Sequence, residues 1–282
     1  MGSCGSASKK QITEESLSLP SYSSSLEKIF TSFNSKYNLL LNIPLYDFQL
    51  FLFNLTYSTQ SKGINSIFND ETDIDNCTVF LRNTIASHPL FYDEKDEKVT
   101  QIFMEYIQKL LTYIQKGAKS FMKKKSIEYD SSTVKKFYML IIGLLFCYSD
   151  NLSKVETLFS WICNDSNVIE RNSNIELFFY LLIFTPTYAN FLTCIDMQKN
   201  YDESLPTIKL EEKDKYSAYF QPKTIDEIYD EFMKGLFNED NNNNNNEANG
   251  CLITKDIYLN KIITQQFAWI LTDKGIRSKL FI

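Results

Sequence analysis

The clearest pattern in the chain is an apolar stripe that recurs every three or four residues from residue 99 to residue 121. Its first eight members are Val99, Ile102, Phe103, Tyr106, Ile107, Leu110, Leu111 and Ile114, and it continues to Ala118 and Phe121. Residues with this spacing fall on one face of an α-helix, so the pattern predicts one long amphipathic helix. Residues 77–88, 132–149 and 188–198 are further helix candidates. Sustained period-two alternation is absent, and the sequence predicts an all-α fold.

A shorter pattern occurs twice. Residues 24–33 align without gaps on residues 153–162, and both segments open with S-x-x-E followed by an apolar stripe. In such a capping box the Ser hydroxyl accepts a hydrogen bond at the start of a helix, which predicts helices that begin at Ser24 and Ser153. An acid followed by an apolar run comes 23 residues after each Ser, at Asp47 and at Glu176. The repeat indicates a duplicated helix-loop-helix unit.

A third, weaker copy begins at Thr224 with another capping box, and its acid is Asp256. The longer spacing is explained by an Asn-rich insertion over 238–249. The predicted organisation is a flexible Ser- and Gly-rich tether over 1–23, a helical lobe with one unit over 24–149, and a helical lobe with two units over 150–282. EF-hand-like helix-loop-helix units would thus form one or two lobes.

Composition narrows the function. The 282 residues are 44% hydrophobic and carry a net charge of −6, which supports a folded core and disfavours nucleic acid as a partner. The six cysteines form no C-x-x-C pair, and His88 is the single histidine. Hydrolase, metalloprotease and nucleotide-binding motifs are absent from the sequence. These observations favour a protein that is not an enzyme.

The first six residues, Met1 to Ser6, fit the N-myristoylation pattern, in which Gly2 becomes the acylated amino terminus. Cys4 is close enough to accept a palmitoyl chain, and two chains give a stable anchor where one does not. The run of apolar residues after Glu176 ends at Thr185–Pro186, and neither it nor residues 137–148 reach the roughly 20 residues needed to cross a bilayer. We therefore expect a peripheral protein on the cytosolic face of the plasma membrane or an endomembrane.

A basic run lies at the end of the long predicted helix. It could contact anionic lipid as a secondary site, although charges at helix ends usually serve solubility and the helix dipole. Its members are Lys116, Lys119, Lys123, Lys124 and Lys125.

An acylated Gly2 followed by a helical body with repeated helix-loop-helix units resembles the myristoylated EF-hand proteins of the neuronal calcium sensor and calcineurin B type. It also resembles the EF-hand-like N-terminal halves of TLDc-domain proteins, to which residues 267–270 and 280–281 are similar. The resemblance implies calcium as a ligand and a protein partner, for instance an amphipathic helix, bound in an apolar groove. The candidate groove residues are Trp161, Phe178, Phe179 and Leu182, although their apolar character favours a core over a groove.

The loops depart from the calcium-binding pattern, which needs oxygen ligands at positions 1, 3, 5 and 9, Gly at 6 and Glu at 12. The first loop, residues 34–47, lacks acids before Asp47. The second offers Asp165, Asn167 and Glu176 at positions 1, 3 and 12, without the Gly. The third loop has the best formal match, with position 8 at Leu252, and its candidate ligands are Asn245, Glu247, Asn249 and Asp256.

The leading hypothesis is a non-enzymatic, membrane-anchored adaptor or regulatory protein of the EF-hand-like type. One alternative is a genuine calcium sensor in which the ion opens a groove or releases the acyl chain. Another is an α-solenoid-like trafficking scaffold built from stacked units. EF-hand units pair face to face through a short β contact, whereas solenoid units stack in one direction.

Overall fold

The computed structural model describes residues 31, 35, 38–56, 71–72, 97–128, 134–135, 137–163, 166–201, 222–237, 252–263 and 267–279. The fold is all-α, as predicted. The α-helices are α1 Leu45–Thr56, α2 Glu97–Lys124, α3 Phe137–Phe146, α4 Asn151–Ile162, α5 Ser173–Phe184, α6 Asn190–Tyr201, α7 Pro222–Phe237, α8 Lys255–Ile263 and α9 Asp273–Lys279. The strands are β1 Glu71–Thr72, β2 Val134–Lys135, β3 Val168–Glu170 and β4 Leu252–Thr254. Leu39–Asn42 and Ala268–Leu271 form 3-10 helices.

The long helix α2 carries the stripe that predicted it. Every stripe member from Ile102 to Phe121 is buried, and Val99 packs partly against the core. The buried face contacts α5 and α6, and the Phe121 ring stacks on Tyr180 with centroids 4.4 Å apart. The helix is thus the central support of the fold.

The apolar run after Glu176 was expected to end at Thr185–Pro186, but the helix that carries it does not stop at Pro186. It runs through a π-helical turn, Thr185–Ala189, directly into α6. Proline has no N–H to donate to the preceding turn. The turn is instead stabilised by hydroxyls: Thr185 donates to the Leu181 carbonyl at 2.7 Å and Thr187 donates to the Ile183 carbonyl at 2.8 Å. These hydroxyl bonds to the preceding turn allow the helical segment to continue through Pro186 into α6.

The continuous segment Ser173–Cys194 is long and apolar enough to cross a membrane by length and composition. However, 89% of its most apolar window is buried inside the protein. Burial of this kind is what a central core helix needs, because its whole circumference contacts other elements.

Two helix starts differ from the capping boxes. Helix α4 begins at Asn151 and its N-cap is Asp150, whose carboxylate accepts from the Ser153 N–H at 2.9 Å and the Ser153 hydroxyl at 2.6 Å. Ser153 is therefore inside the helix. Helix α7 likewise begins at Pro222, two residues before Thr224, because Pro suits a first helical turn. Ser24 lies outside the described residues.

Part of the remaining organisation is also described. Candidate helix 132–149 contains β2, which pairs with β1, and then α3. Candidate helix 77–88, the tether 1–23 and the insertion 238–249 lie outside the described residues. Buried side chains from both predicted lobes, such as Phe48 and Phe178, belong to one hydrophobic cluster. The described residues therefore share one core across the predicted boundary between residues 149 and 150.

Candidate functional site

Two helix-loop-helix units face each other across β3 and β4. The first unit is α4–β3–α5, and the second contains α7, β4 and α8. The strands are antiparallel, with Ile169 opposite Ile253. Helix α4 packs on α8, and α5 packs on α7, so the first helix of each unit contacts the second helix of the other. The arrangement is a reciprocal pair.

Aromatic side chains fill both helix contacts of this pair. Phe159 of α4 meets Tyr258 of α8 at a centroid distance of 5.4 Å. Phe179 of α5 meets Phe232 of α7 at 5.0 Å. Packed aromatic pairs contribute about 0.5–1.5 kcal/mol beyond the area they bury, so both contacts stabilise the pair.

The strand register corrects one sequence expectation. Ile253 is 3% exposed, whereas Leu252 is 48% exposed. The buried β position of the third loop is therefore Ile253, one residue after the predicted Leu252. A shift of one residue reverses which side chains face the core, because strand side chains alternate.

Glu176, the predicted last ligand of the second loop, is already paired with two cations. Its Oε1 lies 3.0 Å from Arg171 Nε and its Oε2 lies 3.0 Å from Lys125 Nζ. Burial alone would raise the pKa of this carboxyl, but the hydrogen bonds and charges of Lys125 and Arg171 outweigh burial and lower it. A calcium ion would have to displace both side chains.

The other predicted ligands do not assemble with Glu176 in the described part of the chain. Asn167 is exposed and has a positive φ of 55°, which leads the chain into β3. Asp256 is exposed in the first turn of α8. Asp165, Asn245, Glu247 and Asn249 lie outside the described residues. Within the described ranges, three His, Cys, Asp or Glu side chains nowhere come together to hold a metal ion.

The candidate groove residues are core residues. Trp161 is 1% exposed, and Phe178, Phe179 and Leu182 are fully buried. Their side chains are therefore part of the core and do not line a groove in this conformation. Helix α5 is buried on nearly all sides, which its run of apolar residues favours.

Two lysines of the basic run point to neighbouring helices. Lys124 lies 2.6 Å from Asp226 of α7, and Lys125 pairs with Glu176 of α5. Lys116 lies over the Tyr113 ring at 4.9 Å. The two ion pairs of Lys124 and Lys125 tie the end of α2 to the paired units and reduce the charge available to a lipid surface.

Three buried polar side chains, Tyr106, Asn190 and Cys194, form a hydrogen-bonded group beside the π-helical turn. Asn190 Oδ1 accepts from the Tyr106 hydroxyl at 2.9 Å and from the Cys194 thiol at 3.4 Å. Burial raises the pKa of Cys194 to about 12, so the thiol is protonated at neutral pH. A protonated, buried thiol is a poor nucleophile, and the group serves packing.

The sequence did not point to a surface cleft between the start of α1 and the start of α4. The cleft has a volume of about 440 Å³ and is lined by Tyr46 and Gln49 of α1, and by Tyr148, Asp150 and Glu156 near and on α4. Backbone bonds join its two sides, with the Leu45 N–H donating to the Tyr148 carbonyl at 2.9 Å. The two segments are far apart in sequence, so no local pattern could have revealed the cleft.

Gly2 and Cys4, the predicted lipidation sites, lie outside the described residues. Comparisons with known proteins add no identification: the chain matches no protein-family model, no curated protein and no solved structure.

Proposed function

We propose that this chain is a non-enzymatic adaptor or regulatory protein of the EF-hand-like type. In this proposal acyl chains on Gly2 and Cys4 hold it on the cytosolic face of a membrane, where its helical body binds a protein partner. In this proposal the second loop does not need calcium, because Lys125 and Arg171 already pair with its Glu176.

The observation that carries the proposal for the body is the antiparallel contact of Ile169 with Ile253. It joins two helix-loop-helix units whose helices pack reciprocally, α4 on α8 and α5 on α7. A face-to-face pair of this kind supports an EF-hand-like arrangement over the solenoid alternative, in which each unit would contact the next in one direction.

The ion pairs of Glu176 weigh against the calcium-sensor alternative. Calcium loops bind the ion through free carboxylates. The Glu176 carboxylate is not free, because its two oxygens lie 3.0 Å from Arg171 Nε and 3.0 Å from Lys125 Nζ. Titration calorimetry with calcium, together with tryptophan emission, separates the two functions. We expect no heat and no spectral shift at millimolar calcium; saturable binding that changes the emission would establish the switch instead.

The anchor is tested by membrane fractionation of cells that express the wild type, Gly2→Ala or Cys4→Ser. We expect the wild type in the membrane fraction, because two acyl chains bind stably. Gly2→Ala should be soluble, since it removes the acceptor for the first chain. Cys4→Ser should distribute between the fractions, since one myristoyl chain binds only marginally.

Gly5→Ala is the matched control, because it makes the same chemical change three residues away and should leave the protein on membranes. Intact-mass spectrometry of the wild type measures the modification directly. A soluble wild type with an unmodified Gly2 would refute the anchor.

A further inference from the structure

The cleft between α1 and α4 has an exposed aromatic rim. Tyr46 is 67% exposed and Tyr148 is 73% exposed, and both line the cleft. Leu50, one turn after Tyr46 on α1, is also exposed. Large side chains left in water at one place are typical of an interaction surface rather than of a scattered monomer surface.

The cleft is also acidic. Asp150 and Glu156 contribute carboxylates, and Lys, Arg and His are absent from the lining residues that the structure describes. The nearest lysine on α4, Lys154, is buried at 5% exposure. The N-terminus of α4 adds only about half a positive charge, so the two carboxylates dominate the potential.

We propose that this cleft binds a Lys- or Arg-bearing segment of a protein partner. The proposal names the partner surface of the function proposed above and rests on that function for its biological setting. A cation on the partner is attracted by the Asp150 and Glu156 carboxylates and by the faces of the Tyr46 and Tyr148 rings.

Size and hydrogen bonding fit the same occupant. A volume of about 440 Å³ lies in the range of ligand pockets, roughly 300–1,000 Å³, and accommodates a long basic side chain with its backbone. Gln49, Ser149 and Thr157 supply neutral polar groups in the lining. An anionic membrane is a poor occupant because the carboxylates repel it.

The test uses the full chain produced without acyl transferases, so that the anchor plays no part. Fluorescence anisotropy measures binding of a labelled Leu/Ala peptide that carries several Arg, beside the same peptide with each Arg replaced by Glu. We expect the Arg peptide alone to bind. Glu156→Lys and Tyr148→Ala should each weaken it by about tenfold, since each removes a charge or ring contact.

Glu227→Lys is the matched control, because Glu227 is exposed on α7, outside the cleft. It makes the same charge change and should alter the affinity less than about twofold, since distant exposed charges are screened. As a charge reversal, Glu156→Lys should also give the Glu peptide a measurable affinity.

Four results would overturn the proposal. They are equal binding of the two peptides, equal weakening by Glu156→Lys and Glu227→Lys, binding to phosphatidylserine vesicles that Tyr148→Ala abolishes, and a concentration-dependent dimer that Tyr148→Ala breaks. If the protein fractionates as soluble but still binds the Arg peptide, the proposed cleft is supported and only the proposed lipid anchor is refuted.

Discussion

Ile169 on β3 lies directly opposite Ile253 on β4, and both side chains are buried. Each strand has only three residues, and so short a ladder is marginal by itself. The buried side chains and the helices on either side must therefore supply the stability of the junction. Together with the helix contacts of α4 with α8 and of α5 with α7, this strand contact joins the two units.

Ile253→Ala should lower the free energy of unfolding by about 2–5 kcal/mol, because it removes buried methyl groups and leaves a cavity. Urea denaturation followed by tryptophan emission and circular dichroism measures the change. Leu252→Ala is the control, since Leu252 is 48% exposed and should cost no more than about 0.5 kcal/mol. Equal effects of the two substitutions would contradict the observed register.

Glu176→Gln should destabilise the protein at neutral pH by about 1 kcal/mol, because it weakens charge-assisted bonds to Arg171 and Lys125 that are partly screened by solvent. The pKa of Glu176 is lowered from its ordinary value of 4.5. Its stabilisation is therefore present above pH 4.5 and is lost as the pH falls through the folded-state pKa.

Denaturation curves over a pH series test this expectation. The difference between wild type and Glu176→Gln should shrink as the pH is lowered below 4.5. Glu170→Gln removes an exposed carboxylate on β3 and should leave stability nearly unchanged at every pH. A Glu176→Gln deficit that is constant with pH would mean that charge is not the cause.

Replacing Tyr by Phe should have opposite effects on stability at two buried positions, Tyr106 and Tyr258. Tyr106→Phe removes the hydroxyl that donates to Asn190, and should cost about 1 kcal/mol. Tyr258 is also fully buried, but its hydroxyl has no hydrogen-bond partner among the described residues. Tyr258→Phe should be neutral or stabilising by up to about 1 kcal/mol, because it removes an unsatisfied polar group. Thermal unfolding of both variants measures the signs; destabilisation of both would contradict the assignment.

How far the sequence predicts the fold depends on how local each interaction is. Helix α2 was predictable because Ile107, Leu111 and their neighbours carry a complete helical stripe within one segment. The continuation of the helical segment past Pro186 was not predictable, since it depends on two threonine hydroxyls and on packing against α9. The start of α4 was missed because Asp150 and Ser153 are both good N-caps, and the side chain of Asp150 bonds to Ser153 itself.

The candidate site was less predictable than the fold. Pairing between β3 and β4 places Ile253 inside, but Leu252 and Ile253 have the same apolar character in the sequence. The lysine partner of Glu176 is Lys125, which directly follows α2 and is far away in the chain. The cleft of Tyr46 and Tyr148 exists only because the segments before α1 and α4 are bonded together. Long-range contacts of this kind leave no periodic signal.

Lys154 is buried on the inner face of α4, and its Nζ donates to the Leu271 carbonyl at a long 3.4 Å. Burial lowers the pKa of Lys154 from its ordinary 10.5, and the electrostatic influence of Cys147 and Asp273 opposes that shift in part. Between the folded-state pKa and 10.5 the unfolded chain binds more protons, so stability rises with pH through this window.

Lys154→Met should therefore stabilise the protein near pH 7 and lose that advantage as the pH approaches 10.5, because the cost of burying an ammonium disappears when it is neutral. Lys234→Met, at an exposed position on α7, is the control and should show neither effect. Urea midpoints across this pH range measure the difference, and a Lys154→Met variant that is less stable than wild type at pH 7 would show that the buried ammonium contributes favourable contacts instead.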